Sequence, residues 1–266
     1  MCRLLGVSRG MIYYKPKQVK ADSANKEIEQ HVVKAFKNSR NCYGTRKLKA
    51  VLPFLISRRK IADIMRKHGL ISKYTLKQYK RHKKSTVNED STGNLINRQF
   101  DNRRRFEVVV SDLTYVRVRD MWNYICIIVD LYNREIIGWS VGKRKDAELV
   151  KQAFARIQTD LRNITVFHTD RGSEFRNQVI DEMIQTFDIQ RSLSEKGTPY
   201  DNAVNESTYH IIKTEFADKI FASTEELELQ FRDYVHWYNT IRVHGSLMYR
   251  TPVQVAISCA TPDTAR

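Results

Sequence analysis

The sequence predicts an α/β domain preceded by a small, basic, all-helical region, and three observations carry that reading. From residue 106 onward, runs of β-branched and aromatic residues alternate with stretches of helical apolar spacing. The first eighty residues show helical spacing broken by glycine and serine, with no strand pattern. The charge is also divided: residues 1–100 carry 24 Lys and Arg against 6 Asp and Glu, a net of +18, whereas the remainder carries 22 against 24. At 266 residues and 41% hydrophobic, the chain is long enough to bury a substantial core in one or two domains.

Residues 2–14, CRLLGVSRGMIYY, read as the second half of a helix-turn-helix whose first helix would precede Met1. A helix is expected over 22–38, with Ile28, Val32, Val33 and Phe36 recurring on one side. Tyr43, Gly44, Thr45 and Arg46 turn the chain into a run over 47–52, which Pro53 interrupts. Ser57 is placed to cap a helix over 58–68, with Ile61, Ile64 and Met65 inward and Arg59, Lys60, Arg66 and Lys67 outward; Gly69 ends it. A small helical domain over 1–80 with so strong an excess of cations suits a phosphate surface, because each Lys or Arg that neutralises a phosphate releases condensed counterion. Duplex DNA is the expected partner, with Arg46, Lys47, Arg59, Lys60, Arg66 and Lys67 as candidate contacts. Residues 81–105 read as a basic polar linker in which Arg103, Arg104 and Arg105 track the phosphate backbone.

The second domain, 106–266, opens with Val108, Val109 and Val110 leading into Asp112. A second strand run over 124–129 follows a polar turn expected at 119–123, so the two form a hairpin, and a third run over 135–141 extends it. A helix is expected over 146–159 with Ala147, Val150, Phe154 and Ile157 toward the sheet, then a short strand over 163–167 that runs directly into His168, Thr169 and Asp170. A carboxylate just past a buried strand and before a glycine turn is where an open sheet presents its chemistry. A helix over 177–187, a strand over 189–192, a Gly- and Pro-containing loop over 193–200 and a helix opening at Asp201 and Asn202 complete the pattern. On that last helix Asn202, Glu206, His210 and Lys213 share a polar stripe opposite Ala203, Val204, Ile211 and Ile212. Such a stripe is ordinarily the solvent side of a helix; the alternative is that it brings Glu206 in as a third carboxylate beside Asp112 and Asp170. Three carboxylates from separate elements provide the hard oxygen ligands that Mg²⁺, or Mn²⁺ in its place, requires, and a pair of such ions serves displacement at phosphorus.

The segments SDLTYV at 111–116, IIVDLYNREIIGW at 127–139, HTDRGSEF at 168–175, GTPYDNAVNES at 197–207, KTEF at 213–216, YVHWYNTIRVHGSL at 234–247 and TPVQVA at 251–256 make the chain resemble a known family. It is similar to the second-frame products of bacterial insertion sequences that use two overlapping reading frames, transposases with a retroviral-integrase-like aspartate-aspartate-glutamate core. The 35 residues between Asp170 and Glu206 match that family's spacing. The resemblance implies a ribonuclease H-like core, a mixed five-stranded sheet with flanking helices, that cleaves and transfers DNA strands by direct attack at phosphorus. Asp112, Asp170 and Glu206 match the catalytic, metal-binding positions, with two ions per site, and Lys213 matches a basic position that contacts terminal DNA. YGTRKLK at 43–49 and MRKHGL at 65–70 resemble the helix-turn-helix region that precedes the core. The implied partners are the element's terminal repeats, target DNA, the upstream-frame product or a fusion with it, and further copies of the chain in a synaptic assembly.

Two other readings compete: a DNA-binding remnant or regulator without enzymatic activity, and a ribonuclease H-type nuclease that cleaves without joining. Cys2, Cys42, Cys126 and Cys259 have no paired spacing, which argues against a zinc knuckle or a disulfide framework. With no signal-peptide-like start and no apolar run approaching a membrane span, the expected location is the cytoplasm, at the nucleoid.

Overall fold

The computed structural model describes residues 18–76, 103–194 and 203–260. The half helix-turn-helix at 2–14, most of the linker and Asn202 lie outside the described residues. The contacts divide the chain into two compact units, Met1–Ser72 and Lys73–Arg266.

In the first unit, helices α1 (Gln18–Asn38), α2 (Thr45–Val51) and α3 (Arg58–Lys67) enclose Val32, Phe36, Leu48, Leu52, Ile61, Ile64 and Met65. The Ser57 hydroxyl accepts from the Lys60 N–H at 3.2 Å, which satisfies one of the unpaired amides that every helix start leaves. Gly69 stops α3 at φ +61, a conformation that a Cβ would strain. The outward face of α3 is partly committed to its neighbour. Lys67 Nζ sits 2.8 Å from Glu29 on α1, His68 Nε2 lies 3.0 Å from the same carboxylate, and Lys60 donates to Asn25 at 2.8 Å. Arg66 pairs with Asp63 on α3 itself at 3.0 Å, and Lys47 lies 5.2 Å over the Tyr43 ring. Arg46 and Arg59 are exposed.

The second unit begins with one helical turn, α4 (Lys73–Leu76), and is built on a five-stranded sheet: β1 (Val108–Val118), β2 (Met121–Asp130), β3 (Ile136–Gly142), β4 (Val166–Thr169) and β5 (Gln190–Leu193). The order is β3-β2-β1-β4-β5, with β1, β2 and β3 antiparallel and β4 and β5 parallel to β1. Alternation along the central strands sends side chains to two cores. Val109, Cys126 and Ile128 pack with Leu149, Val150 and Phe154 of α5 (Ala147–Ala155) and Ile180 and Ile184 of α6 (Gln178–Thr186). Val110, Val116 and Ile127 pack on the other side with Tyr209, Ile212 and Phe216 of α7 and Phe231 and Tyr234 of α8 (α7 Ala203–Glu215, α8 Thr224–Thr240). Helix α9 (Pro252–Ala260) lies against α8. This mixed sheet with helices on both faces is the ribonuclease H-like arrangement.

Three boundaries differ from the sequence expectation, each for a local reason. The hairpin turn is Arg119 and Asp120 rather than 119–123, because Arg117 pairs with Trp122 and Val118 with Met121, and Arg119 adopts φ +48. The fourth strand starts at Val166 because residues 161–163 form a 3₁₀ turn capped by Asp160, whose carboxylate accepts from the Arg162 N–H at 3.0 Å. Helix α5 ends at Ala155, and Arg156 turns out to lie 3.8 Å over the Trp139 ring and pair with Glu228.

Asp130, at the end of β2, is fully buried, and its carboxylate accepts backbone N–H groups from Phe106 and Tyr132, both at 3.0 Å. Burial outweighs those hydrogen bonds and pushes its carboxyl up to about 6. A raised carboxyl means that the native state holds a proton which the unfolded chain has released between about pH 4 and pH 6. Stability is therefore greatest at the acid end of that window and falls as pH rises through it, by about 3 kcal/mol in total from this group. Asp130→Asn should remove that decline. Denaturant titrations at about pH 4.5 and pH 7 should show the variant gaining on the wild type at the higher pH; a pH-independent difference would contradict the assignment.

Candidate catalytic site

Asp112 lies four residues into β1, and Asp170 directly follows β4. The two strands are parallel, with Val108 opposite Val166, Val109 opposite Phe167 and Val110 opposite His168. Asp112 and Asp170 each lie two residues past the last of these pairs, at the same end of the two neighbouring strands. Both are half-buried. Each carboxylate has a backbone partner: the Leu113 N–H donates to Asp112 Oδ1 at 2.7 Å, and the Gly172 N–H donates to Asp170 Oδ1 at 3.0 Å.

The turn after Asp170 is tightly built around a second acid. Glu174 is buried, and its carboxylate lies against the α-carbon of Gly172, where a Cβ would come within 2.5 Å of Oε1. Lys145, from the loop between β3 and α5, places Nζ 2.8 Å from Glu174 Oε1. Asp146 next to it caps α5 by accepting from the Leu149 N–H at 3.1 Å, which fixes where the lysine emerges. Burial alone would lower the Lys145 ammonium, yet Glu174 first, and then Asp170 and Asp112, raise it above its ordinary value. Lys145 thus lies in the field of all three acids. Asn177 donates to the Glu174 carbonyl at 3.0 Å while its side-chain oxygen accepts from the Ile180 N–H at 3.1 Å, so the turn is fastened to the start of α6.

Glu206 lies in the first turn of α7 and is exposed. Its immediate neighbours anchor the helix to the strand that carries Asp112. Asn205, buried, donates from Nδ2 to the Ser111 carbonyl at 3.1 Å, and the Tyr209 hydroxyl donates to the carbonyl of Asp112 itself while accepting from the Ile127 N–H at 3.3 Å. Burial, and after it the charge on Asp112, holds the Tyr209 hydroxyl well above the ordinary range, so it remains a donor. Among the described residues, no three His, Cys, Asp or Glu side chains form a group able to hold a metal ion. Asp112 and Asp170 are of the hard-oxygen donor type that Mg²⁺ or Mn²⁺ takes.

The remaining sequence candidates have definite places. His210 is half-buried, with its ring 6.2 Å from that of Tyr74, and Lys213 Nζ lies 4.7 Å over the Tyr115 ring. Arg103 pairs with Glu107 at 2.9 Å, and Arg105 with Glu135 at 3.4 Å while stacking over Phe106, so these two fasten the start of the core; Arg104 is exposed. Cys42 and Cys126 are buried free thiols, and burial pushes Cys126 up to about 12. The sequence reading passed over Asn205 and Tyr209. Their signal was a four-residue spacing that brackets Glu206 on the side of the helix next to its polar stripe.

Comparison with known proteins matches residues 102–199 and 187–252 to two models of an integrase core domain, and residues 23–78 to an HTH-like domain. The chain is 30% identical over 263 residues to the transposase InsF for insertion sequence IS3 of Escherichia coli O111:H-, covering 92% of this chain and 88% of that protein. It is 29% identical over 235 residues to the transposase for insertion sequence element IS904 of Lactococcus lactis subsp. lactis, covering 85% and 92%. Among solved structures it is similar to the HTLV-2 integrase catalytic core domain in complex with magnesium, at a TM-score of 0.45 and 16% identity over 56% of this chain and 95% of that one. Among the described residues, no helix is long and apolar enough to cross a membrane.

Proposed function

The chain belongs to the insertion-sequence transposases with an integrase core domain, and from that premise we propose that it cuts and joins DNA strands at a site formed by Asp112, Asp170 and Glu206. The observation that supports this reading is the β1–β4 pairing, which ends two residues before both Asp112 and Asp170, together with the bonds from Asn205 and Tyr209 that bind the helix of Glu206 to residues 111 and 112. These three carboxylates would hold two Mg²⁺ ions, or Mn²⁺ in their place. Such ions, when bound, favour the attacking oxygen and the leaving oxygen of an in-line displacement at phosphorus.

The chain's own residues have separate parts in this reading. Tyr209 and Asn205 fix the height of α7 against β1, and the Gly172 turn aims Asp170. Lys145 balances charge around Asp170 and Glu174. His210 and Lys213, on the helix that carries Glu206, face the DNA strand being cut. The HTH-like unit and the basic residues of the first hundred bind duplex DNA through phosphates, Arg46 and Arg59 being its exposed candidates. Recognition of the element's ends is completed by the upstream-frame product or a fusion with it, and several copies of the chain assemble on paired ends. The protein works at the nucleoid, in the cytoplasm.

The test is a joining assay on duplexes carrying the element's ends, with the full chain alone and with the upstream-frame product, in Mg²⁺ and in chelator. Joined product that appears only with metal is expected. Cleavage without joining would favour a nuclease, and DNA binding without either would favour a regulator. Joining indifferent to chelator would remove the metal from the reading.

A further inference from the structure

Beyond the carboxylates, the β1–β2 hairpin carries a group of side chains that the cleavage chemistry does not use. Tyr115 and Arg117 on β1 share a sheet face with Trp122 on β2, which is registered opposite Arg117. Nearer the centre of the sheet this face is covered by α5 and α6, through Val109, Cys126 and Ile128. At the outer end of the hairpin Tyr115 is 48% and Trp122 50% exposed. Their rings meet edge to face at 5.0 Å, Arg117 Cζ lies 5.0 Å over Trp122, and Lys213 Nζ lies 4.7 Å over Tyr115. Two large aromatic rings at a protein surface, each with a cation against it, are not explained by packing.

The patch is joined to the helix that carries Glu206 through Lys213. β4 pairs with β1 at Val108, Val109 and Val110, and Phe221 bridges Val118 at the far end, so among the described residues the stretch of β1 between them pairs with β2 alone. Asp112, on the sheet face of Val110 and Val116, and Tyr115, on the opposite face with Val109, are three residues and roughly 10 Å apart along β1. Lys213, which reaches Tyr115, is two helical turns along α7 from Glu206. A strand whose phosphate sits at Asp112 would reach Tyr115 by crossing the edge of β1 beside Lys213, a path of about three nucleotides.

We propose that Tyr115 and Trp122, flanked by Arg117 and Lys213, form a stacking site for unpaired nucleotides of the DNA strand beside the phosphate being cut. Cations alone suffice for the phosphates of a duplex, whose base faces are already stacked. Exposed rings add affinity only when a base face is free to lie on them, and every base has such a face, so the site is tolerant of sequence. The proposal rests on the catalytic reading for its position, but it makes a binding claim that needs no chemistry.

The experiment uses the full chain without metal, and compares a blunt duplex, the same duplex with a short unpaired tail, and a short single strand. Of the three tryptophans, Trp139 and Trp237 are buried, so quenching of the accessible fluorescence reports Trp122. Binding of the tailed duplex should quench it and should be about tenfold tighter than binding of the blunt one. Tyr115→Ala and Trp122→Ala should each erase most of that preference, while Tyr115→Phe and Trp122→Phe should keep it and show that loss of a ring, not of the fold, is responsible. Equal affinity for blunt and tailed duplexes, or alanine variants that keep the preference, would overturn the proposal. So would alanine variants that change only the oligomeric state on size exclusion, since the patch would then be a contact between copies. The readout needs no chemistry, so it stands whether or not the chain joins DNA. A chain that prefers tailed DNA but never joins it would count against the catalytic reading alone.

Discussion

Glu206→Gln should lower strand joining by roughly two orders of magnitude or more while leaving DNA binding unchanged. The amide keeps nearly the volume of the carboxylate but loses the charge that would hold a metal ion. Glu206 is exposed at the start of α7, and the bonds that anchor this helix come from Asn205 and Tyr209 rather than from Glu206. The variant should therefore melt with the wild type, and a gel-shift titration should superimpose on it. The rival for the third position is Glu174, which follows Asp170 by four residues. Its carboxylate is buried, pressed against Gly172 and paired with Lys145, so it is already engaged in shaping the turn. If Glu206→Gln joins DNA as well as the wild type does, Glu174→Gln becomes the next test and the role of α7 in chemistry is lost.

The elements were readable where burial imposes a simple period. Val108, Val109 and Val110, the run through Ile128, and the apolar spacing of Val150 and Phe154 predicted strands and a helix that the structure contains. Boundaries were read less well where a local hydrogen bond decides them. The Asp160 cap displaced the start of β4, and a positive φ at Arg119 let the hairpin close in two residues rather than five. The site divides in the same way. Asp112 and Asp170 could be picked out because each ends a hydrophobic run, but that the two runs pair in parallel, bringing residues 58 positions apart to the same end of neighbouring strands, is something no local pattern encodes. The family resemblance supplied what periodicity does not. Cation clusters were the least legible: Lys60 and Lys67 look free in sequence, yet each meets a partner on α1, Asn25 and Glu29, some 35 residues or more away. Charge composition shows that a surface is basic without telling which cations remain for a ligand.

The largest effect on stability is expected from Arg242→Met. Arg242 follows α8 and is buried with Glu215, the last residue of α7, whose side chain is wholly inaccessible. Arg242 Nε lies 2.8 and 3.0 Å from the two Glu215 oxygens, and Nη2 donates to Oε1 at 2.9 Å. Tyr74 and Tyr234 add hydroxyl donors at 2.6 and 3.1 Å, and Lys73 donates to the Glu215 carbonyl at 2.9 Å. Removing the guanidinium leaves a buried carboxylate whose charge two phenols cannot balance, at a cost of about 3–5 kcal/mol. For a chain of this size that corresponds to a fall in melting temperature of roughly 10 °C. The double variant Arg242→Met, Glu215→Met should recover much of the loss, because apolar side chains of similar length satisfy the site better than one unpaired charge. A single variant as stable as the wild type would mean that water already reaches the pair. The consequence extends to the site, since Glu215 closes the same helix that Glu206 opens and Tyr74, bonded to Glu215, lies against the His210 ring between them. Arg242→Met should thus weaken joining even below its melting temperature, with the double variant restoring it, a pairing of effects that a catalytic role for Arg242 would not produce.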